Sequence, residues 1–188
     1  MNFKYKPSRY IQDKVDKFAE DRLSLSKNLY KWRGESSLGK MIEDLKVGCY
    51  GEYAVFNYLK SLGIKCSRPD LKIYETRKKS FDQDLKTNKH LLHVKSQSHV
   101  SAKRYGQSWL FQRSDKLYKA PLKNEYMVFT NVNLNTLEVE VLGFVNCQKI
   151  KELNLWGECK VPRYRHSKCA IYLKDLEPYG IIKNNIKE

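Results

Sequence analysis

Ser80-Phe81-Asp82-Gln83-Asp84-Leu85-Lys86-Thr87-Asn88-Lys89-His90-Leu91-Leu92-His93-Val94-Lys95-Ser96-Gln97 decides how this chain folds and where its chemistry sits. Two apolar-alternating runs, 81–86 and 90–96, flank Asn88-Lys89, and Asn tolerates the left-handed backbone of a tight turn. The pattern predicts an antiparallel hairpin. With Asn88-Lys89 as a two-residue loop, Thr87 faces His90, Asp84 faces His93 and Asp82 faces Lys95. Strand alternation then sets Asp82, Asp84, His93 and Lys95 on one face, with opposed pairs about 5 Å apart. Two readings fit this patch. Carboxylates, an imidazole and an ammonium together can hold a divalent cation while keeping a positive charge for a phosphate or an attacking hydroxide, which is a hydrolytic layout. Alternatively, the charges pair across the strands on a solvated face.

Upstream, Gly48-Cys49-Tyr50-Gly51-Glu52-Tyr53-Ala54-Val55-Phe56-Asn57-Tyr58-Leu59-Lys60-Ser61-Leu62-Gly63 reads as a helix closed by a glycine. Helical spacing groups Glu52 with Val55, Phe56, Leu59 and Leu62, so the carboxylate falls on the face expected to be buried. A buried carboxylate needs a partner or a metal. Pairing with a nearby Lys, or a place at the margin of the apolar stripe, would also satisfy it. Gly48 and Gly51 give the helix a small surface for close approach to a sheet.

A helix Glu, then an Asp on one strand, then x-x-Lys on the next resembles the PD-(D/E)xK nuclease superfamily, the restriction-endonuclease-like fold. The likeness covers roughly residues 45 to 131. It implies that Glu52 is the helix carboxylate, Asp84 the strand aspartate (Asp82 being a second candidate), Lys95 the motif lysine and Gln97 the polar residue that follows it. It also implies an α/β fold with a mixed sheet flanked by helices, Mg²⁺ or Mn²⁺ held by Glu52, Asp84 and the Val94 carbonyl, and hydrolysis of DNA, with RNA as an alternative substrate. His93 departs from the family, standing where Glu or Asp is usual. Imidazole suits manganese or zinc better than magnesium, so three outcomes are open: Glu52 supplies the missing carboxylate, His93 acts as ligand or proton acceptor, or the site only binds nucleic acid or a host factor. The His93-Val94-Lys95-Ser96 strand followed by Ser108-Trp109-Leu110-Phe111-Gln112 resembles phage-encoded members.

Composition agrees with a polyanion partner. The 188 residues carry a formal net charge of +15, a field that attracts nucleic acid first, and an acidic protein or a membrane surface second. Basic residues interleave with tyrosine in Lys4-Tyr5-Lys6-Pro7-Ser8-Arg9-Tyr10, Lys103-Arg104-Tyr105 and Arg163-Tyr164-Arg165-His166, a mixture suited to phosphate contact and base stacking. Lys-rich chains also carry many lysines that are simply solvated. Lys103, Arg104, Tyr105 and Gln112 are the candidate nucleic-acid contacts. No apolar run approaches 18 residues and the N-terminus has no apolar signal region, so a cytoplasmic location without membrane contact is expected. Five cysteines without a CxxC pair fit reduced thiols. Cys147, Cys159, His166 and Cys169 include zinc-ligand types, but their spacing matches no strong finger pattern.

The expected organisation is one domain. Residues 1–38 form an N-terminal helical extension broken at Gly34-Glu35-Ser36-Ser37, 39–180 the nuclease-like core and 181–188 a polar tail. Within the core, strands are expected at Leu71–Glu75, Ser108–Gln112 and Ala170–Leu173, with a second hairpin of Glu125–Val132 and Leu137–Val145 and a helix from Asn146 to Leu153. Residues 98–107 read as a polar, basic loop. Cutting both strands of a duplex with one site per chain would favour a homodimer.

Overall fold

The computed structural model of the chain describes residues 3–32, 37–73 and 83–186. In chain order its elements are β1 (Phe3–Tyr5), α1 (Arg9–Trp32), α2 (Leu38–Ser61), β2 (Leu85–Lys86), β3 (Leu91–Ser98), α3 (His99–Tyr105), β4 (Ser108–Gln112), α4 (Lys116–Lys119), β5 (Glu125–Asn133), β6 (Glu138–Asn146), α5 (Cys147–Glu152), β7 (Gly157–Glu158), β8 (Lys168–Tyr172) and α6 (Leu173–Leu176). A mixed five-stranded sheet runs β1-β6-β5-β3-β2 and a three-stranded sheet runs β4-β8-β7. The chain is therefore α/β with a mixed sheet and an N-terminal helix, as the sequence implies.

Three layers follow from strand alternation. The β3 and β5 strands are parallel and in register from Leu91↔Glu125 to Ser98↔Val132, so Leu92, Val94, Tyr126, Val128 and Val132 share one face. That face meets α1 and α2 through Val15, Tyr50, Ala54, Val55 and Leu59. The opposite face carries His93, Lys95, Met127 and Phe129, and packs on the three-stranded sheet through Trp109, Phe111 and Ile171. Trp109 stacks on Phe129 at 4.2 Å between ring centroids, and its indole N–H donates to the Thr130 carbonyl (3.1 Å). Aromatic rings with a satisfied polar edge are well suited to such a buried seam.

Two glycines are required by contact. A Cβ on Gly51 would stand 1.9 Å from Ser96 Oγ and 2.7 Å from Thr130 Oγ1, so α2 can lie on β3 and β5 only because position 51 has no side chain. Gly143 sits at φ +149°, where the β5–β6 register slips between Phe129 and Thr130, and its missing side chain admits Ile182 and the Lys183 carbonyl. A bulge at such a point bends the strand and frees the backbone for another segment.

Most expected elements are present. The Asn88-Lys89 hairpin forms, with Leu85↔Leu92 and Lys86↔Leu91 paired and the Thr87 N–H donating to the His90 carbonyl (3.0 Å). Helix α2 begins at Ser37, whose Oγ accepts the Lys40 N–H, and closes over Gly63 with the Ile64 N–H donating to the Leu59 carbonyl, the bond pattern of a glycine-terminated helix. Strand β4 spans the expected five residues, and Asn146 caps α5.

Four expectations change. Residues 98–107 are not a loop: the Ser98 Oγ accepts the Ser101 N–H (3.2 Å) and nucleates α3, which stops at Gly106, φ +82°. Leu71–Ile73 form no strand, because the Asp70 carboxylate takes the Lys72 N–H (2.9 Å) in a local turn that competes with sheet pairing; residues 74 and 75 lie outside the described residues. Segment 66–67 lines the outer edge of β2 instead, with the Ser67 N–H donating to the Lys86 carbonyl (2.8 Å). The N-terminal stretch is no appendage, since β1 pairs with β6 and Val15 and Ala19 are fully buried. Nor are 181–186, the described part of the expected 181–188 tail, free: Lys183 exchanges two backbone hydrogen bonds with Phe144 and Ile186 is buried among the helix-side core.

Candidate functional site

The site lies at the edge of the sheet where β2 meets β3. Among the described residues β2 is two residues long and no strand pairs with β3 beyond Leu92 on that side; there the Asp84 side chain meets the backbone, its Oδ2 accepting the Val94 N–H at 2.8 Å. The Asp84 N–H donates to the Leu92 carbonyl (2.9 Å). Asp84 is thereby fixed opposite His93, in the register expected from the turn. The Val94 carbonyl points to the same edge as its N–H, since both groups of a strand residue share a side. Asp82 falls outside the described residues.

His93 is almost fully buried and looks across to β5. Its Nε2 lies 3.4 Å from Glu125 Oε1, an ion-pair distance without a well-formed hydrogen bond. Glu125 is itself 1% exposed; its Oε2 accepts the Leu122 N–H (2.6 Å), while Oε1 also faces Lys116 Nζ at 3.4 Å. Burial lowers the His93 pKa below its ordinary value, with Asp84 and Glu125 pulling it partly back and Lys95 adding to the depression. The imidazole is therefore neutral at pH 7 and able to accept a proton. Glu125 is the residue the sequence reading missed. Its signal was only a charged residue opening an otherwise apolar strand, and its partnership with His93 depends on the parallel β3–β5 register, which no local pattern encodes.

Lys95 projects from the same face as His93, half-buried, with its ammonium 5.2 Å from the centre of the Phe111 ring. That contact is the long end of a cation–π interaction and supports the stem without neutralising the charge. Gln97 is used differently from the expectation. Its Nε2 donates to the Gly106 carbonyl (3.0 Å) and its Oε1 accepts the Ser108 N–H (2.9 Å), so both ends of the amide fasten the α3–β4 connection to β3.

Glu52 is half-buried on the flank of α2, whose fully buried positions include Val55 and Leu59. The neighbouring Gly51 contacts Ser96 and Thr130, so the helix carrying Glu52 lies on the other side of the sheet from Lys95. Lys103 and Arg104 are exposed on α3, Arg104 resting over the Tyr105 ring at 5.3 Å, and Gln112 is exposed at the end of β4. All four candidate contacts follow β3 in sequence, on elements joined to it through Gln97.

Among the described residues no group of three His, Cys, Asp or Glu is arranged to hold a metal ion. A magnesium or manganese ion does not demand one, because such ions keep several waters and bind through one or two carboxylates together with substrate phosphate. Asp84 and the Val94 carbonyl are the oxygen donors such an ion would use, while the His93 Nε2 is turned to Glu125. The cysteines are placed elsewhere: Cys159 and Cys169 donate to the Val161 and Phe111 carbonyls, and burial pushes the Cys147 and Cys169 thiols up.

No family model, no curated protein and no solved structure matches this chain. Among the described residues no helix is long and apolar enough to cross a membrane.

Proposed function

We propose that this chain is a metal-dependent nuclease that hydrolyses DNA phosphodiester bonds at the Asp84–His93–Lys95 edge of β3, in the manner implied by the PD-(D/E)xK resemblance. The observation that carries the reading is the hairpin register: Asp84 stands opposite His93, and Lys95 follows two residues on along the same face. A bound Mg²⁺ or Mn²⁺ would supply Lewis-acid stabilisation and an activated water. Asp84 would hold the ion, its other oxygen anchored by the Val94 N–H. Lys95 offers a positive charge to the phosphate where negative charge grows in the transition state. His93, neutral and backed by Glu125, accepts a proton from the attacking water. The net charge of +15 favours a polyanionic substrate.

A second reading has support in the same cluster. His93 is buried against Glu125 rather than open to solvent, as suits a nuclease-like fold that only binds nucleic acid or a host factor. Lys95→Ala separates the two. An enzyme loses cleavage by orders of magnitude while keeping most of its affinity; a binder has no cleavage to lose. RNA belongs among the substrates tested.

A further inference from the structure

A second surface, on the helix side of the molecule, combines charge and rings in a way the Lys95 site does not use. Between α1 and segment 68–73 runs a groove of about 770 Å³. Its floor is aromatic, from Tyr5, Phe18, Tyr53 and Phe56. Its rims carry Lys6, Lys14 and Lys17 on one side and Arg68 and Lys72 on the other, against the carboxylates of Asp21 and Asp70. Tyr10 stands at the mouth, 64% exposed, with the Lys14 ammonium 4.4 Å above its ring. The Tyr10 hydroxyl holds the Lys14 pKa up, while Arg68 is near enough to push it down. Among the described residues neither Lys14 nor Arg68 is in an ion pair with a carboxylate, whereas Arg9 and Lys46 nearby are paired to Asp13 and Asp16. Two like charges thus face the same space with an exposed ring beside them.

Basic side chains on both rims, outnumbering the groove's two carboxylates, attract an anion, and a phenol ring that stays in water gives a platform for a flat π-face. Burial pushes the Tyr5 and Tyr53 hydroxyls up, so the floor stays uncharged and able to donate hydrogen bonds at neutral pH. Anion pockets flanking stacking rings are how unpaired nucleotides are held, the phosphates by cations and the bases by aromatic faces. A duplex keeps its bases stacked inside and offers nothing to Tyr10.

We infer that this groove binds single-stranded nucleic acid, with Lys14 and Arg68 on the phosphates and Tyr10 stacked on a base. The inference does not require that the Lys95 edge cut anything. A strand seated here would be gripped by α1 and 68–73 while the hairpin stays open to a second part of the same polymer.

The test is fluorescence anisotropy of a labelled twelve-nucleotide oligothymidylate with the full-length protein in EDTA, which prevents metal-dependent cleavage of the probe, across a range of salt. Lys14→Ala with Arg68→Ala should weaken binding at least tenfold and flatten the log–log salt slope by roughly 1.4, about 0.7 for each lost phosphate contact. Tyr10→Ala should weaken the thymidylate roughly tenfold and leave an abasic oligomer of equal length unchanged. Lys149→Ala, an exposed position on α5 outside the groove, should keep the wild-type affinity. All substituted side chains are exposed or half-exposed, and matching circular dichroism melts would show that the fold is intact. Unchanged affinity in the Lys14/Arg68 variant, equal loss of both probes on Tyr10→Ala, or a duplex of the same length binding as tightly as the single strand would each overturn the assignment.

Discussion

Gly51→Ala is the sharpest test of how α2 is seated on the sheet that carries the site. On helix propensity alone the change stabilises, since Ala in a helix interior is better than Gly by about 1 kcal/mol. The structure argues the opposite. The new methyl carbon would stand 1.9 Å from Ser96 Oγ, 2.7 Å from Thr130 Oγ1 and 3.1 Å from Ser96 Cβ. Overpacking of this kind costs about 1–3 kcal/mol. Rotating the Ser96 hydroxyl away also sacrifices the 2.8 Å hydrogen bond it accepts from Thr130, worth about 1 kcal/mol. The balance is a destabilisation of about 2 kcal/mol, or roughly 4–8 °C in Tm for a chain of this size. Urea titration followed by circular dichroism measures it. Ser96→Ala removes the closest of the three contacts, so Gly51→Ala should cost less in that background, and a double-mutant cycle reads the coupling. A Gly51→Ala variant as stable as wild type, or stabilised by the propensity gain, would refute this seating of α2 and with it the placement of Lys95 on the opposite face.

Three further outcomes follow from the same geometry. Burial lowers the His93 pKa, so below pH 6.5 the unfolded chain binds the proton that the folded chain refuses; stability is complete above that value and is lost as pH falls toward the folded pKa. His93→Gln should show a smaller loss between pH 7 and 5, and equal losses in the two proteins would contradict the burial of the imidazole. Burial, reinforced by Asp16, raises the Tyr50 pKa to about 12, so the stability it contributes is present below pH 10 and is lost as pH rises from 10 through 12; Tyr50→Phe should flatten that alkaline limb in a pH-jump denaturation series. Gln97→Leu orphans the buried Ser108 N–H and should cost about 1–3 kcal/mol in urea, and no loss would mean that the α3–β4 connection does not depend on this amide.

The hairpin, β4, the β5–β6 pair and the helix α5 were legible because each is set by local rules: a turn dipeptide, strand alternation, an Asn cap. Even the Asp84–His93 opposition came from counting outward from Asn88-Lys89. What escaped was non-local. Glu125 meets His93 only through a parallel pairing of strands separated by α3, β4 and α4. The pairing of β1 with β6 and the docking of Lys183 beside Gly143 join segments near the chain's ends to its middle, and a three-residue strand such as Phe3-Lys4-Tyr5 carries no sign of its partner. Gln97 was legible as a residue on the Lys95 face but not in its use, because its amide meets groups on a connection that sequence spacing presents as a loop.

One measurement bears most directly on the proposed chemistry: cleavage of plasmid, single-stranded DNA and RNA by the purified protein with Mg²⁺ or Mn²⁺, beside Lys95→Ala, Asp84→Asn and an EDTA control. The account predicts metal-dependent cutting that both substitutions abolish while salt-sensitive binding persists. Binding without cutting in either metal, or cutting that survives Asp84→Asn at full rate, would contradict it.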